Sequence, residues 1–234
     1  MPNETEQRAP TYDVAPSSAK FFRSELTVMP GITIPVCSML VSDERRRILV
    51  SPIGTDDEAR AVESGITALV APSLHHATWL AAARTYAHPE VVWGPPGLAR
   101  KRPALAPIAA IGVAPWPYGD VLEAVRIEGA PARDEVVFFH RASRTLYTAD
   151  LFFNLYRTTG WLAPLAFRLI GTYRRFGIAR RWRHWVTDRA AFDRSITQML
   201  AWPFERVVVG HGNPIERDAR RRVIDALDER GLLP

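Results

Sequence analysis

The sequence predicts an α/β fold in which two sheets lie between layers of helices. Three observations carry that prediction. Short runs rich in β-branched residues are bounded by turn residues, a strands-then-helix order occurs twice, and 47% of the 234 residues are apolar, enough for one substantial core.

The elements follow in order. Residues 1–20 are polar and interrupted by Pro10 and Pro16, which predicts a flexible N-terminal arm ahead of one domain over 21–234. Three strands are expected at 24–28, 32–41 and 47–51, with the charged residues 42–46 as a solvated hairpin tip. Thr55-Asp56-Asp57-Glu58 has the form of a capping box, opening a short helix that Gly65 closes. A buried strand at 66–70 leads through Pro72-Ser73-Leu74-His75-His76 into a helix over 77–86, and 91–93 is the next strand. A helical turn is expected at 98–102. Four prolines make 103–119 a connecting loop with one short strand. Strands then follow at 121–127, 135–140 and 145–150, the last two forming a hairpin. Residues 151–201 read as a helical insertion broken at Gly160 and Gly171. A strand at 206–210, a loop at 211–214 and an amphipathic helix over 215–230 complete the chain.

Net charge is +5, and the basic residues are nearly all arginine, which suits anionic substrates or surfaces. Mixed signs along most of the chain argue against nucleic acid as a partner. Cys37 is alone, so a disulfide framework is excluded and a buried thiol is expected. Residues 1–10 have no apolar stretch behind them, which gives no secretory signal and makes the cytoplasm the expected compartment. The apolar segment 151–173 contains Asn154, Arg157, Pro164 and Arg168 and is too polar to cross a bilayer.

Three segments each place a metal-capable side chain just past a predicted strand: His75 and His76, Asp150, and His211. Ligand sites in α/β proteins gather at strand ends, and imidazole with carboxylate suits zinc or iron. The competing reading is that these are packed or surface residues. His140, His88 and His184 are read that way, His140 as a turn-forming residue and the others as surface groups.

The segments Val208-Val209-Gly210-His211-Gly212 and Leu146-Tyr147-Thr148-Ala149-Asp150 resemble the closing motifs of the metallo-β-lactamase superfamily, and the resemblance covers about residues 22–230. Ala71-Pro72-Ser73-Leu74-His75-His76, Trp93-Gly94-Pro95-Pro96-Gly97 and residues 139–146 are similar to an uncharacterised branch of it. The resemblance implies an αββα four-layer sandwich with a two-metal centre whose histidine loop reads His-x-His-x-Asp-His. Here Ala71 and Ser73 stand where the first two histidines would be, and Ala130 stands where the middle histidine would be. These three would serve one metal. His76, Asp150 and His211 match ligands of the other, and His75 stands at the aspartate position. The implied centre holds one ion in His75, His76, Asp150 and His211. Zinc is the expected ion, with iron or manganese as other choices and a metal-free site as the remaining one.

The implied activity is hydrolysis of a small-molecule substrate by a single metal-activated water, with Asp150 as fourth ligand or as the catalytic base that orients the water. Two other functions fit the same residues: a non-catalytic binding or scaffold descendant, and an iron-dependent redox protein. The insertion holds Trp161, Trp182, Trp185, Arg174 and Arg175 and is expected to form a lid over the site, with Arg174, Arg175 and Trp182 meeting an anionic or aromatic substrate. A solvated helical pair or a face resting on membrane lipid are the alternatives.

Overall fold

The computed structural model describes residues 17–156 and 158–234. The first sheet contains β1 (Ser18–Met29), β2 (Ile32–Ser42), β3 (Arg47–Val50), β4 (Ile66–Val70), β5 (Pro89–Gly94) and β6 (Ala109–Ala110), side by side in that order. β1 to β3 pair antiparallel and β3 to β6 parallel. The parallel connections need crossovers, which α1 (Asp56–Val62), α2 (Leu80–Ala87) and α3 (Gly97–Lys101) provide. The second sheet holds β7 (Leu122–Ile127), β8 (Glu135–His140), β9 (Thr145–Asn154) and β10 (Phe176–Gly177) in antiparallel order, with β11 (Arg206–Gly212) running parallel to β9. α4 (Ala163–Ile170), α5 (Trp182–Trp185), α6 (Arg189–Ala201) and α7 (Ala219–Glu229) complete the chain.

Alternation along the strands explains the layering. Met39, Val41, Ile48, Val50, Val70, Phe138, Tyr147 and Val208 fill the space between the sheets. Their chain neighbours Leu40, Leu49 and Leu69 point the other way and pack on Val62, Leu80, Ala83 and Phe167 of α1, α2 and α4. Val137, Phe139, Val207 and Val209 likewise leave the second sheet on its outer side, against Trp182, Phe192, Ile196, Met199, Val223 and Leu227 of α5, α6 and α7. Successive strand residues face opposite sides, so strands apolar on both faces require helices on both outer surfaces. The chain is therefore an αββα sandwich. No helix among the described residues is long and apolar enough to cross a membrane.

The elements differ from expectation mainly in three places. Ser18, Ala19 and Lys20 belong to β1 instead of the N-terminal arm, and residues 1–16 lie outside the described part. The segment 151–201 does not open as a helix. Leu151 to Asn154 extend β9, and the rest holds α4, β10, α5 and α6. The cause is Glu135, whose buried carboxylate accepts the backbone N–H groups of Ala149, Asp150 and Leu151 at 2.9, 3.0 and 3.1 Å. That carboxylate takes the place of a strand partner and carries the chain through in extended form. The capping box forms only in part: Thr55 Oγ accepts the Glu58 N–H, while the Glu58 carboxylate turns inward to the Ile53 and Gly54 N–H groups.

Candidate metal centre

Three side chains meet at the floor of a cavity of about 370 Å³. His76 comes from the turn after β4, Asp150 from the middle of β9, and His211 from β11, where the ladder to β9 shifts register between Val209 and His211. One ligating atom from each lies within 4.8 Å of the others. His76 Nε2 and His211 Nε2 are 3.0 Å apart, and they stand 3.6 and 3.4 Å from Asp150 Oδ1. Gly210 makes the approach possible, since a Cβ there would sit 2.7 Å from His76 Cε1 and 2.8 Å from the Ala149 carbonyl.

The far side of each group is tied down. His211 Nδ1 lies 3.1 Å from the Pro35 carbonyl, which only accepts, so Nδ1 carries the proton and Nε2 presents a bare lone pair. His76 Nδ1 is hydrogen-bonded to Ser51 Oγ at 2.8 Å. Asp150 Oδ2 is engaged by the Arg133 guanidinium and by the Ser73 hydroxyl, which donates to it at 3.3 Å. Below, the Trp182 indole donates to the Asp150 backbone carbonyl at 3.0 Å, and the Trp185 ring lies 4.6 Å beneath the Arg133 guanidinium. Burial opposes ionisation of Asp150, but His76, His211 and Arg133 outweigh it and hold the carboxyl well below the usual range. Burial lowers His76 and keeps it neutral, the form that ligates. Burial and the repulsion of the Asp150 charge raise Glu135.

The donor set fits a metal ion. Two imidazole nitrogens and one carboxylate oxygen face a common point, and separations of 3.0 to 3.6 Å are those of ligands about 2.0–2.2 Å from a shared ion.

The other expected residues are placed differently. His75 lines the same cavity but stands outside the converging group. The cause is Ser73, whose Oγ accepts the N–H groups of both His75 and His76 at 3.2 Å and winds a turn that sends adjacent side chains apart. Burial, then the Arg133 charge, pushes His75 down to about 4. Ala71, Ser73 and Ala130 are buried, and none brings an imidazole to the second position. Arg133, on the turn that its N–H closes onto the Ala130 carbonyl, shares Asp150 Oδ2 with Ser73.

The insertion does not roof the cavity. Arg174 lies over the Tyr173 ring, Arg175 pairs with Glu229 of α7, and Trp182 is buried under Asp150, so none of the three lines it. The continuation of β9 carries the chain past the cavity, and α5 and α6 then pack behind the second sheet. The β1–β2 hairpin covers the site instead, through Leu26, Thr27, Val28, Ile34 and Val36. Among residues the sequence reading missed, Glu135 left a signal as an acid heading an apolar strand. Arg133 and Ser51 left none beyond their nearness to aligned positions.

No family model matches the chain, and no curated protein matches it in sequence. Solved structures do match in shape. A metallo-beta-lactamase from Pontibacter korlensis aligns over 90% of this chain and 94% of its own, with a TM-score of 0.58 and 14% identity. A metallo beta lactamase from Erythrobacter litoralis aligns over 90% and 88%, with a TM-score of 0.56 and 18% identity. The rubredoxin oxygen:oxidoreductase of Desulfovibrio gigas aligns over 88% of this chain but 60% of its own length, with a TM-score of 0.58 and 11% identity. The chain thus has the metallo-β-lactamase fold, which carries both hydrolases and redox proteins.

Proposed function

We propose that the chain is a metal-dependent hydrolase working with a single ion held by His76, Asp150 and His211. The observation that supports this reading most is the convergence of two imidazole nitrogens and one carboxylate oxygen on the cavity floor, each fixed from behind. Zinc suits the donors, with iron or manganese as other choices. Bound there, the ion supplies a Lewis acid that lowers the pKa of water toward about 7 and polarises a carbonyl or phosphoryl oxygen.

The chain's residues do the rest. Asp150 is held ionised with Oδ2 occupied, which leaves Oδ1 for ligation and favours a ligand over a base. Three protein ligands leave a coordination position open to the cavity, as in catalytic zinc sites. Arg133 places a fixed positive charge on the side of Asp150 where Ala71, Ser73 and Ala130 provide no second set of ligands, which supports one ion instead of two. His75, on the wall, shifts from ligand to substrate contact. Leu26, Val28, Ile34, Val36, Ile53 and Trp79 line the rest and favour a small molecule with an apolar part.

Metal content of the purified chain after removal of adventitious ions tests this. The expected result is one ion per chain, lost in His76→Ala and His211→Ala, with hydrolysis of an ester, amide or phosphoester panel lost alongside. No bound ion would leave a binding module, two ions would refute the role of Arg133, and a redox-active iron without hydrolysis would favour the oxidoreductase reading.

A further inference from the structure

Among the described residues, five of the seven large apolar side chains left exposed are Val28, Met29, Trp161, Leu165 and Leu169. They form one continuous surface. Trp161, Leu165 and Leu169 repeat every four residues, so they share one side of α4 and the turn before it. The tip of the β1–β2 hairpin carries Val28 and Met29 and is locked to that segment. The Leu162 N–H donates to the Gly31 carbonyl at 3.0 Å, Thr33 bridges Thr159, and Gly31 lies so close to the Trp161 indole that a Cβ would fall 2.8 Å from its Nε1. Trp161 is 80% exposed and Leu169 67%, values no folding requirement explains.

Charge says what such a surface meets. Residues 151–187 contain seven arginines, of which Arg175 pairs with Glu229 of α7, and no aspartate or glutamate, whereas the chain as a whole has 25 acids against 30 bases. Arg168 is exposed three residues after Leu165 and lies over the Tyr173 ring, with Arg174 over the same ring. An apolar stripe ending in an exposed tryptophan and flanked by Arg168 and Arg174, which lie over an aromatic ring, complements a bilayer with anionic headgroups: the indole and leucines enter the headgroup boundary while the guanidinium groups meet phosphate. Val28 also lines the cavity, so the surface runs into the mouth of the metal centre.

We propose that this hairpin–α4 face docks the chain onto anionic membrane lipid. Docking needs no metal and no turnover, so its test is independent of the hydrolase reading. Flotation with vesicles of phosphatidylcholine alone, and of phosphatidylcholine with one third phosphatidylglycerol, measures it on the full chain. The chain is expected to float with the anionic vesicles, to bind neutral ones more weakly, and to lose the difference at high salt. Trp161→Glu combined with Leu169→Glu is expected to weaken binding at least about tenfold with an unchanged melting temperature, since both side chains are exposed. Arg168→Gln with Arg174→Gln should remove the preference for anionic over neutral vesicles. Failure of the parent chain to float with either vesicle, or equal binding by the Glu variant, would overturn the proposal. So would a self-associated form, seen by sedimentation, that the Glu variant dissociates while vesicles go unbound.

Discussion

His211 and His140 are both buried on strands of the second sheet, yet their rings are wired oppositely. At His140, the Ser143 N–H donates to Nδ1, which leaves the Nε2 proton to meet Ser17 Oγ at 3.0 Å, so both nitrogens are spent inside the protein. At His211, the Pro35 carbonyl consumes the Nδ1 proton and the Nε2 lone pair is left facing a cavity, another imidazole and a carboxylate. Burial alone therefore does not mark a ligand. What marks it is one nitrogen fixed and the other free in company, the arrangement by which a partner on the far nitrogen sets a ligand's tautomer.

The comparison breaks most visibly at Asp150. Asp150→Asn removes the anion shared by Arg133 and the two histidines, so metal binding should be lost. The metal-free protein should also be destabilised by about 3–5 kcal/mol, because Arg133 keeps its charge in a mostly buried position without a counterion. Metal analysis together with urea unfolding reads both effects. Retained metal and unchanged stability would show that Oδ1 and Oδ2 do not divide their work as described. His140→Gln is the counterpart and should leave metal content untouched.

His140 has a pH signature of its own. Burial pushes it down to about 4, against an unfolded value of about 6.5. The unfolded chain thus takes up a proton that the folded chain refuses. Its contribution to stability is complete above about pH 6.5 and falls as the pH drops toward 4, by roughly 3 kcal/mol in all. Unfolding free energies measured across that window should fall less steeply in His140→Gln than in the parent. Parallel curves would mean that His140 is protonated in the folded state and that its contrast with His211 is false.

Much of this was legible from residue order. Period-two alternation with apolar residues on both faces, as in Arg47-Ile48-Leu49-Val50, demands helices on both outer sides, and the sandwich follows. His76 and His211 were legible as candidates because each follows a predicted strand, where ligand sites gather. Asp150 was legible as a candidate, but its setting was not, because Leu151-Phe152-Phe153 is an apolar run that fits helix or strand equally. Tertiary partners decide it: the Glu135 carboxylate, 14 to 16 residues upstream, takes the N–H groups of Ala149 to Leu151, and β10 and β11 pair with Phe153 and Asn154. Which of His75 and His76 turns inward depends on both N–H groups sharing Ser73 Oγ, a choice of turn that identity and spacing do not encode. Arg133 meets Asp150 across the β8–β9 hairpin, and no local pattern announces a contact made by tertiary pairing.

The smallest expected effect falls on the least conspicuous partner, Ser51, and it tests whether an imidazole must be fixed from behind to serve as a ligand. Ser51 is buried, with a left-handed φ of 56°, and its N–H donates to the Val70 carbonyl at 2.8 Å, so the backbone that aims its hydroxyl at His76 Nδ1 is itself anchored. Alanine at this position removes the hydroxyl while keeping the N–H and a similar backbone preference. In Ser51→Ala the His76 ring keeps its packing against His211, 4.8 Å between centroids, but loses the bond that sets its tautomer and rotation. Removal of such partners typically costs about 10–100-fold in metal affinity, which competition against a chelating dye resolves. Global stability should move by only about 1 kcal/mol, the scale of one hydrogen bond. Unchanged affinity would mean that packing alone orients His76. The fixed-and-free rule would then rest on His211, where the Pro35 carbonyl leaves no choice of tautomer.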